Sequence, residues 1–532
     1  MSIRSHPLAR GALVILILCL SPLRSIGEDP SFVWPARIKP AMTSSFGEWR
    51  SGHIHAGVDV KTWGEIGVPL LAVADGYVQR VRTSPWGYGK VLYLALSNDT
   101  TAVYGHVDRF TTQLDDLVWA RQCEERRYSV DIWLKEGEYP VRRGDTVAYS
   151  GDTGTVAPHL HFELRDENNV PLNPLLHGLN VDDSIPPVPQ FLLIRPVGSD
   201  SRVEGDVKVR RFGVSPLRSG GYRLRGRPEI EGNIGISVAA YDRMDGVWNR
   251  FSPYRLLLEV DGREKFEVRY DQFSYEVSDL INLDRDYRYM VREGARAHTL
   301  YKVTGNELPF YGDYEEGAGY LRDLEPGLHQ LRVTVADAFG NEAHVEGEIL
   351  LNRPPILRLS GDGGEGSPDI AGWVEDPDGD EIDLVAEALY LKDSSHKWER
   401  LPDDSLVLNE GRFHVSPALL DSLASEGGWV VRVRAVDGWG RSASSEPVSL
   451  GKLPLLDPGP VSLALERYEG FFILSARPEN PVPGRVTFTV RQGESPPVTI
   501  DGVEQGGSRF RAVYPLKIVS GREVEIMARF EP

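Results

Sequence analysis

Four short segments of this 532-residue chain carry the side chains best suited to chemistry. They are His53-Ile-His55-Ala-Gly57-Val-Asp59, Tyr104-Gly105-His106-Val107, Ser150-Gly-Asp-Thr-Gly154 and Pro158-His159-Leu160-His161-Phe162-Glu163. In the last, Leu and Phe alternate with His and Glu, which is the period of a strand. Residues two apart on a strand point to the same face, with Cα atoms about 6.5–7 Å apart. His159 and His161 therefore face one site, one binding a metal and the other standing beside it. His55 and Asp59 would lie about 13 Å apart in a fully extended chain at roughly 3.3 Å per residue. Gly57 between them permits the bend that brings both to one ion. Two imidazoles and a carboxylate with a fourth position left open make a catalytic zinc site, not a closed structural one.

A plain alternative is that these are solvated strand-face histidines serving packing and solubility. Their clustering argues against it: His53, His55, His106, His159, His161 and His177, six of the twelve histidines, fall between about 28 and 180. The chain has no His-Glu-x-x-His, which removes the helix-borne zinc proteases, and no Gly-x-Ser-x-Gly or phosphate loop. With 78 acidic against 59 basic residues the net charge is −19, so the chain lacks the basic footprint of a nucleic-acid binder.

The elements that must hold these residues read as strands. Glycine and proline are abundant, at 54 and 37 residues, which favours a turn-rich β chain over a helical bundle. Arg4 and Arg10 precede the apolar run Gly11 to Leu20 and the small residues around Ser25-Ile26-Gly27, the order of a secretory signal over 1–27. The run is too short to span a bilayer comfortably, so the mature chain is expected to be exported without stable membrane insertion, to the periplasm, the cell envelope or the exterior. Of the two cysteines, Cys19 leaves with the signal and Cys123 stays as a lone thiol.

Residues 28–180 form the chemistry-bearing domain. From Asp182-Asp183-Ser184-Ile185-Pro186-Pro187 onward the texture changes to alternating runs broken by Gly, Asp and Pro, expected as β-sandwich (Ig-like) domains over 181–352, 353–452 and 453–532. A weak repeat supports this: strand alternation runs into Asp337-Ala-Phe-Gly340 and again into Asp437-Gly-Trp-Gly440, and a looser copy ends at Asp242. Asp337 and Asp437 are expected to cap turns. Asp376-Pro-Asp378-Gly-Asp380 looks like a calcium loop, but its sixth position is Glu381 where an EF-hand requires glycine, so it reads as a β-turn with solvated acids. Trp373, Trp429 and Trp439 read as sandwich core. Short helices are expected only near 112–127 and 415–425.

The region from about 40 to 175 resembles the M23 (lysostaphin/LytM-like) zinc metallopeptidases. The resemblance also rests on Gly67-Val-Pro69-Leu-Leu-Ala-Val-Ala-Asp75-Gly76, Tyr88-Gly89, Val141-Arg-Arg-Gly144-Asp-Thr-Val and Val170-Pro-Leu-Asn173-Pro174. It covers about a quarter of the chain and implies a small antiparallel β-fold that cleaves peptide bonds in the cross-links or stems of bacterial peptidoglycan. Matched residue by residue, His55, Asp59 and His161 fall where that family binds zinc, and His106 and His159 where it places its two catalytic histidines. A non-catalytic regulator of the same fold, binding wall or a partner amidase, is the second implied reading, and the five intact residues weigh against it. His53 has no matching role and reads as an exposed or neighbouring residue.

The chain departs from the family pattern at Ala157, before Pro158, where the loop is a residue short. It departs again in an insertion at about 107–140, some twenty residues longer than the usual link. Within it, Tyr128-Ser-Val-Asp-Ile-Trp133-Leu alternates like a folded strand. Attached beside His106, the insertion is expected to form one wall of a substrate groove.

Overall fold

A computed structural model describes residues 32–360, 369–391, 397–451, 460–468, 471–479, 485–492, 496–504, 509–515 and 524–531. The signal expected at 1–27 lies outside them. Among the described residues no helix is long and apolar enough to cross a membrane. The all-β expectation holds: most regular structure is strand, in several mainly antiparallel sheets. Both expected helices form, as α1 (Thr112–Glu125) and as Pro417–Glu426.

The chain divides into two compact units, one of residues up to Ala41 with Asp59–Val181, the other of Met42–Val58 with Asp182–Pro532. The strands up to α1 are β1 (Met42–Ser44), β2 (Trp49–Arg50), β3 (His53–Ile54), β4 (Val58–Lys61), β5 (Pro69–Leu71), β6 (Gly76–Thr83), β7 (Lys90–Leu96), β8 (Thr101–Gly105) and β9 (Arg109–Phe110). After it come β10 (Asp131–Trp133), β11 (Pro140–Val141), β12 (Thr146–Tyr149), β13 (His159–Arg165) and β14 (Pro171–Leu172).

The main sheet of the first unit runs β4-β13-β8-β7-β6-β10, and β5, β12 and β9 make a smaller one. Leu160, Phe162 and Leu164 put one face of β13 into the core. Tyr104 of β8 meets Phe162 edge to face, with ring centroids 5.3 Å apart. Its hydroxyl donates to the Leu71 carbonyl at 2.9 Å and accepts from the Val73 N–H at 3.1 Å, bridging to the chain around β5.

The insertion does not build the expected groove wall with its strand. β10 pairs with β6 at the sheet edge, with β8, β7 and β6 standing between it and β13. The physical reason is the open edge of β6: unpaired backbone groups there accept a strand directly, and Trp133 pairs with Arg80 in the register. Arg80 adds a guanidinium over the Trp133 ring at 4.6 Å and an ion pair with Asp131.

In the second unit β2 and β3 form a short hairpin, Trp49 opposite Ile54 and Arg50 opposite His53. Phe46, Ile54 and Ala56 share one buried apolar cluster with Leu192, Ile236 and Leu258. The Ile54 N–H donates to Ser278 Oγ and Trp49 Nε1 donates to Asn282 Oδ1, each at 2.9 Å. An eleven-stranded sheet surrounds this core, antiparallel except where Tyr222–Leu224 and Glu229–Glu231 run parallel beside Glu342–Leu351. Next comes a sandwich in which Val374 and Phe413 of a four-stranded sheet pack on Ala386, Val431 and Val433 of a five-stranded one. The last described strands, Val461–Tyr468 to Val524–Glu531, form one sheet over Leu474, Phe488 and Phe510. Trp429 packs against its sandwich core and Trp373 is half-buried, but Trp439 is exposed beneath the Arg227 guanidinium.

Tyr104 gives a test of the first unit's core. Tyr104→Phe leaves a buried N–H and a carbonyl unpaired, which should cost about 1–3 kcal/mol. A lowered denaturant midpoint with unchanged metal content is the expected result.

Candidate metal centre

Strand alternation builds the site. On β13 the residues facing away from the core are His159, His161, Glu163 and Arg165, every second position, and from His161 onward all are buried. The register sets His161 opposite Gly105 of β8. A Cβ on Gly105 would stand 3.3 Å from the His161 Cβ and 3.2 Å from the Tyr88 ring, so glycine leaves room for both.

His55, Asp59 and His161 each offer one ligand atom, and these atoms lie within 4.8 Å of one another. All three residues are buried. His55 Nδ1 donates to the Ser45 carbonyl at 2.7 Å, which fixes the tautomer with its lone pair on Nε2. His161 is oriented the other way round. Its Nε2 is 2.8 Å from Glu163 Oε1, and its Nδ1 faces Asp59 Oδ1 at 3.0 Å. A carboxylate behind a ligating imidazole is the usual outer support of a zinc histidine. Two nitrogens and a carboxylate oxygen this close together suit a small tetrahedral ion such as zinc.

Glu163 has no solvent exposure. Its Oε1 accepts from the Tyr88 hydroxyl as well as from His161, and Arg165 Nε donates to Oε2 at 2.7 Å. Burial works against its charge, but Arg165 and His161 overrule it and hold the carboxyl down at about 2. Burial likewise opposes charge on His161, and hydrogen bonds to Asp59 and Glu163 outweigh it, lifting the imidazole to about 9. Glu163, Arg165 and Tyr88 were not assigned roles from sequence. The period-two run His159, His161, Glu163, Arg165 was the signal that could have found the first two.

His106 sits just past β8 in the left-handed region at φ +63°, uncommon for a residue with a side chain and held by its surroundings. Its N–H donates to the Tyr88 carbonyl at 2.9 Å and its Nδ1 to the Thr153 carbonyl at 2.9 Å. Its ring lies 4.7 Å from that of His159 and 5.9 Å from that of His161, centroid to centroid. Burial, then the charge on His161, pushes His106 down to about 4, so it is neutral. His159 Nδ1 donates to the Ala157 carbonyl at 2.8 Å, and its Nε2 stands 3.7 Å from Asp59 Oδ1.

The Ser150–Gly154 segment is the support for His106. Thr153 Oγ1 donates to the Val107 carbonyl at 2.8 Å and accepts from the Lys90 N–H at 2.9 Å. Gly89, at φ +64°, lets the chain pass so close that a Cβ there would fall 2.2 Å from the Thr153 oxygen. His53 is exposed on β3 and takes no part in this arrangement.

No family model matches the chain. It is 31% identical over 122 residues to an uncharacterized metalloprotease of Haemophilus influenzae, covering 23% of this chain and 20% of that one. It is 28% identical over 142 residues to the murein hydrolase activator NlpD of Escherichia coli, covering 27% and 30%. A third relative is the lipoprotein NlpD/LppB homolog of Pseudomonas aeruginosa, 28% identical over 137 residues, covering 26% and 37%. The chain thus spans between a fifth and just over a third of the length of these relatives. Among solved structures, a zinc containing peptidase from Vibrio cholerae aligns with 24% identity over 29% of this chain and 41% of that one, at a TM-score of 0.21. The catalytic domain of the M23 protein EnpA from Enterococcus faecalis aligns with 26% identity over 25% and 88%, at 0.19.

Glu163 can be tested apart from the ligands. Losing an outer-shell partner of a metal histidine typically lowers affinity about 10–100-fold. Glu163→Gln should therefore release zinc to a competing chelator at correspondingly lower chelator concentration. A variant holding zinc as tightly as the parent would show that Glu163 serves packing alone.

Proposed function

We propose, from the premise that about a quarter of this chain is an M23 (LytM-like) domain related to NlpD, that the protein is an exported zinc endopeptidase acting on peptidoglycan peptides. The single observation that carries the reading is the convergence of His55, Asp59 and His161, with His106 and His159 ring to ring beside them. In this reading the three hold the metal and the other two do proton chemistry. A zinc ion held there would supply an acidified water and a Lewis acid for the scissile carbonyl.

The chain's own residues supply the rest. His106 and His159 both tie Nδ1 to a backbone carbonyl, so both present Nε2 as the proton-accepting atom. A neutral imidazole placed so takes a proton from the attacking water, and the imidazolium formed stabilises the oxyanion or protonates the leaving amine. The periplasm or cell envelope is the proposed location, and the β-domains after residue 180 are accessory to cleavage.

A second reading is favoured by the relatives named murein hydrolase activators: a non-catalytic regulator that uses the same cleft to bind wall or a partner amidase. One experiment separates the two. Zinc content is measured together with release of new amino groups from purified sacculi. The enzyme reading expects about one zinc and amine release. His55→Ala and Asp59→Ala should lose both, while His106→Ala and His159→Ala keep zinc and lose turnover about 10²–10⁴-fold. A zinc-loaded parent that releases no amines but stimulates an added amidase would replace the enzyme with the regulator.

A further inference from the structure

The acids of the strand repeat do more than close turns. Asp337 ends the strand Gly327–Ala336, and its Oδ1 accepts from the N–H groups of Phe339 and Asn341 at 2.8 and 2.9 Å. Asp437 ends Trp429–Asp437, and its Oδ1 accepts from the N–H groups of Trp439 and Arg441 at 2.9 and 2.8 Å. The turn caps expected of both are therefore present. Yet both carboxylates are buried, at 4% and 5% exposure, and each meets two more acids. Asp183, Asp242 and Asp337 bring one ligand oxygen each within 4.8 Å of one another, and so do Asp376, Asp380 and Asp437.

These clusters hold oxygen atoms with nothing to bind. Asp242, 5% exposed, has no hydrogen-bond partner at Oδ1, and Asp183 has none at Oδ2. In the second cluster Asp376 Oδ2 is likewise without a partner. Asn352 Nδ2 donates to Asp437 Oδ2 at 2.9 Å, while its own Oδ1, fully buried, has no partner. A buried carboxylate oxygen without donor or counter-charge costs several kcal/mol. Burial, then the carboxylates of Asp337 and Asp183, push Asp242 up to about 8.

The two clusters share one plan. Each joins the ends of two strands to the stretch of chain that enters the domain: Asp183 in Asp182–Pro187, and Asn352 ahead of Pro354-Pro355. We infer that Asp183, Asp242 and Asp337 bind a calcium ion that pins the incoming linker through Asp183, and that Asp376, Asp380 and Asp437 bind a second, beside the Asn352 side chain held on Asp437. Calcium suits the set because it takes six to eight oxygens at roughly 2.3–2.6 Å, in flexible geometry that tolerates carbonyl and water ligands. Two oxygens on one such ion stand at most about 5 Å apart, which matches the observed spread. The sulfur- and nitrogen-seeking metals have no preferred donor here.

The test uses the full chain freed of metal and reloaded with one equivalent of zinc in every sample. Calcium binding is counted by equilibrium dialysis with calcium chloride, and melting is followed with and without it. Two calcium ions per chain and a raised melting temperature are expected, as is a weaker response to magnesium chloride at the same concentration. Asp242→Asn and Asp380→Asn should each remove one ion and part of the thermal response. Without calcium both variants should melt no lower than the parent, because each removes mutual repulsion. Should Asp242→Asn fold poorly, the half-buried Asp183→Asn reads out the same site. No calcium bound at millimolar concentration, an equal effect of magnesium, or both ions retained in the variants would overturn the inference.

Discussion

One carboxylate constrains the first unit more than any other group. Glu163 is wholly out of water in the middle of a sheet, where an unpaired charge would cost several kcal/mol. Arg165, His161 and Tyr88 must all reach it, and each is thereby fixed. His161 cannot rotate without stranding Glu163. Tyr88 cannot leave without removing the chain turn that accepts the His106 N–H. The side of His161 that faces Asp59 is thus oriented by an ion pair that belongs to the fold.

A second regularity runs through the other histidines. His55, His106 and His159 each give Nδ1 to a backbone carbonyl, those of Ser45, Thr153 and Ala157. Three imidazoles in separate segments therefore share one tautomer, with the lone pair on Nε2. His161 alone faces Asp59 with Nδ1, because Glu163 claims its Nε2. Backbone carbonyls hold position well, since moving them means moving strands and turns. The small residues of this region serve that purpose. Gly105 leaves room for His161, and Gly89 lets the Thr153 carbonyl approach.

Residue type and period-two spacing made the strand β13 legible, along with the histidine and aspartate segments that the structure brings together. The helices Thr112–Glu125 and Pro417–Glu426 were legible as well, but the short helix Tyr287–Glu293 was not. What was not legible depended on contacts distant in sequence. Ile54 lies one residue before His55, yet its burial partners include Leu192 and Leu258, more than a hundred residues further along the chain, and no local pattern announces them. β10 was readable as a strand, but its choice of the β6 edge was set by a vacancy in the sheet. Trp439 looked like core and is exposed, because its turn projects past the last strand pairing. The aspartates show the same division. Their turn hydrogen bonds are local and were expected, whereas their burial requires Asp183 or Asn352 to arrive from a linker.

The chain treats its buried carboxylates in two opposite ways, and the contrast has a physical meaning. Glu163 receives a guanidinium, an imidazole and a phenol, and it is held strongly acidic. Asp242 receives two further carboxylates, an N–H from the backbone of Arg243 and no donor at Oδ1, and it is held weakly acidic. A protein that can place Arg165 beside one buried acid could have placed a basic side chain beside another. Lys or Arg would neutralise one charge, but no single side chain can meet three inward-facing oxygens from three segments at once. A divalent ion can, because its ligands arrive from any direction. Repetition of the arrangement at Asp437, with the same turn and the same linker entry, makes it a property of the domain plan and not of one crowded corner.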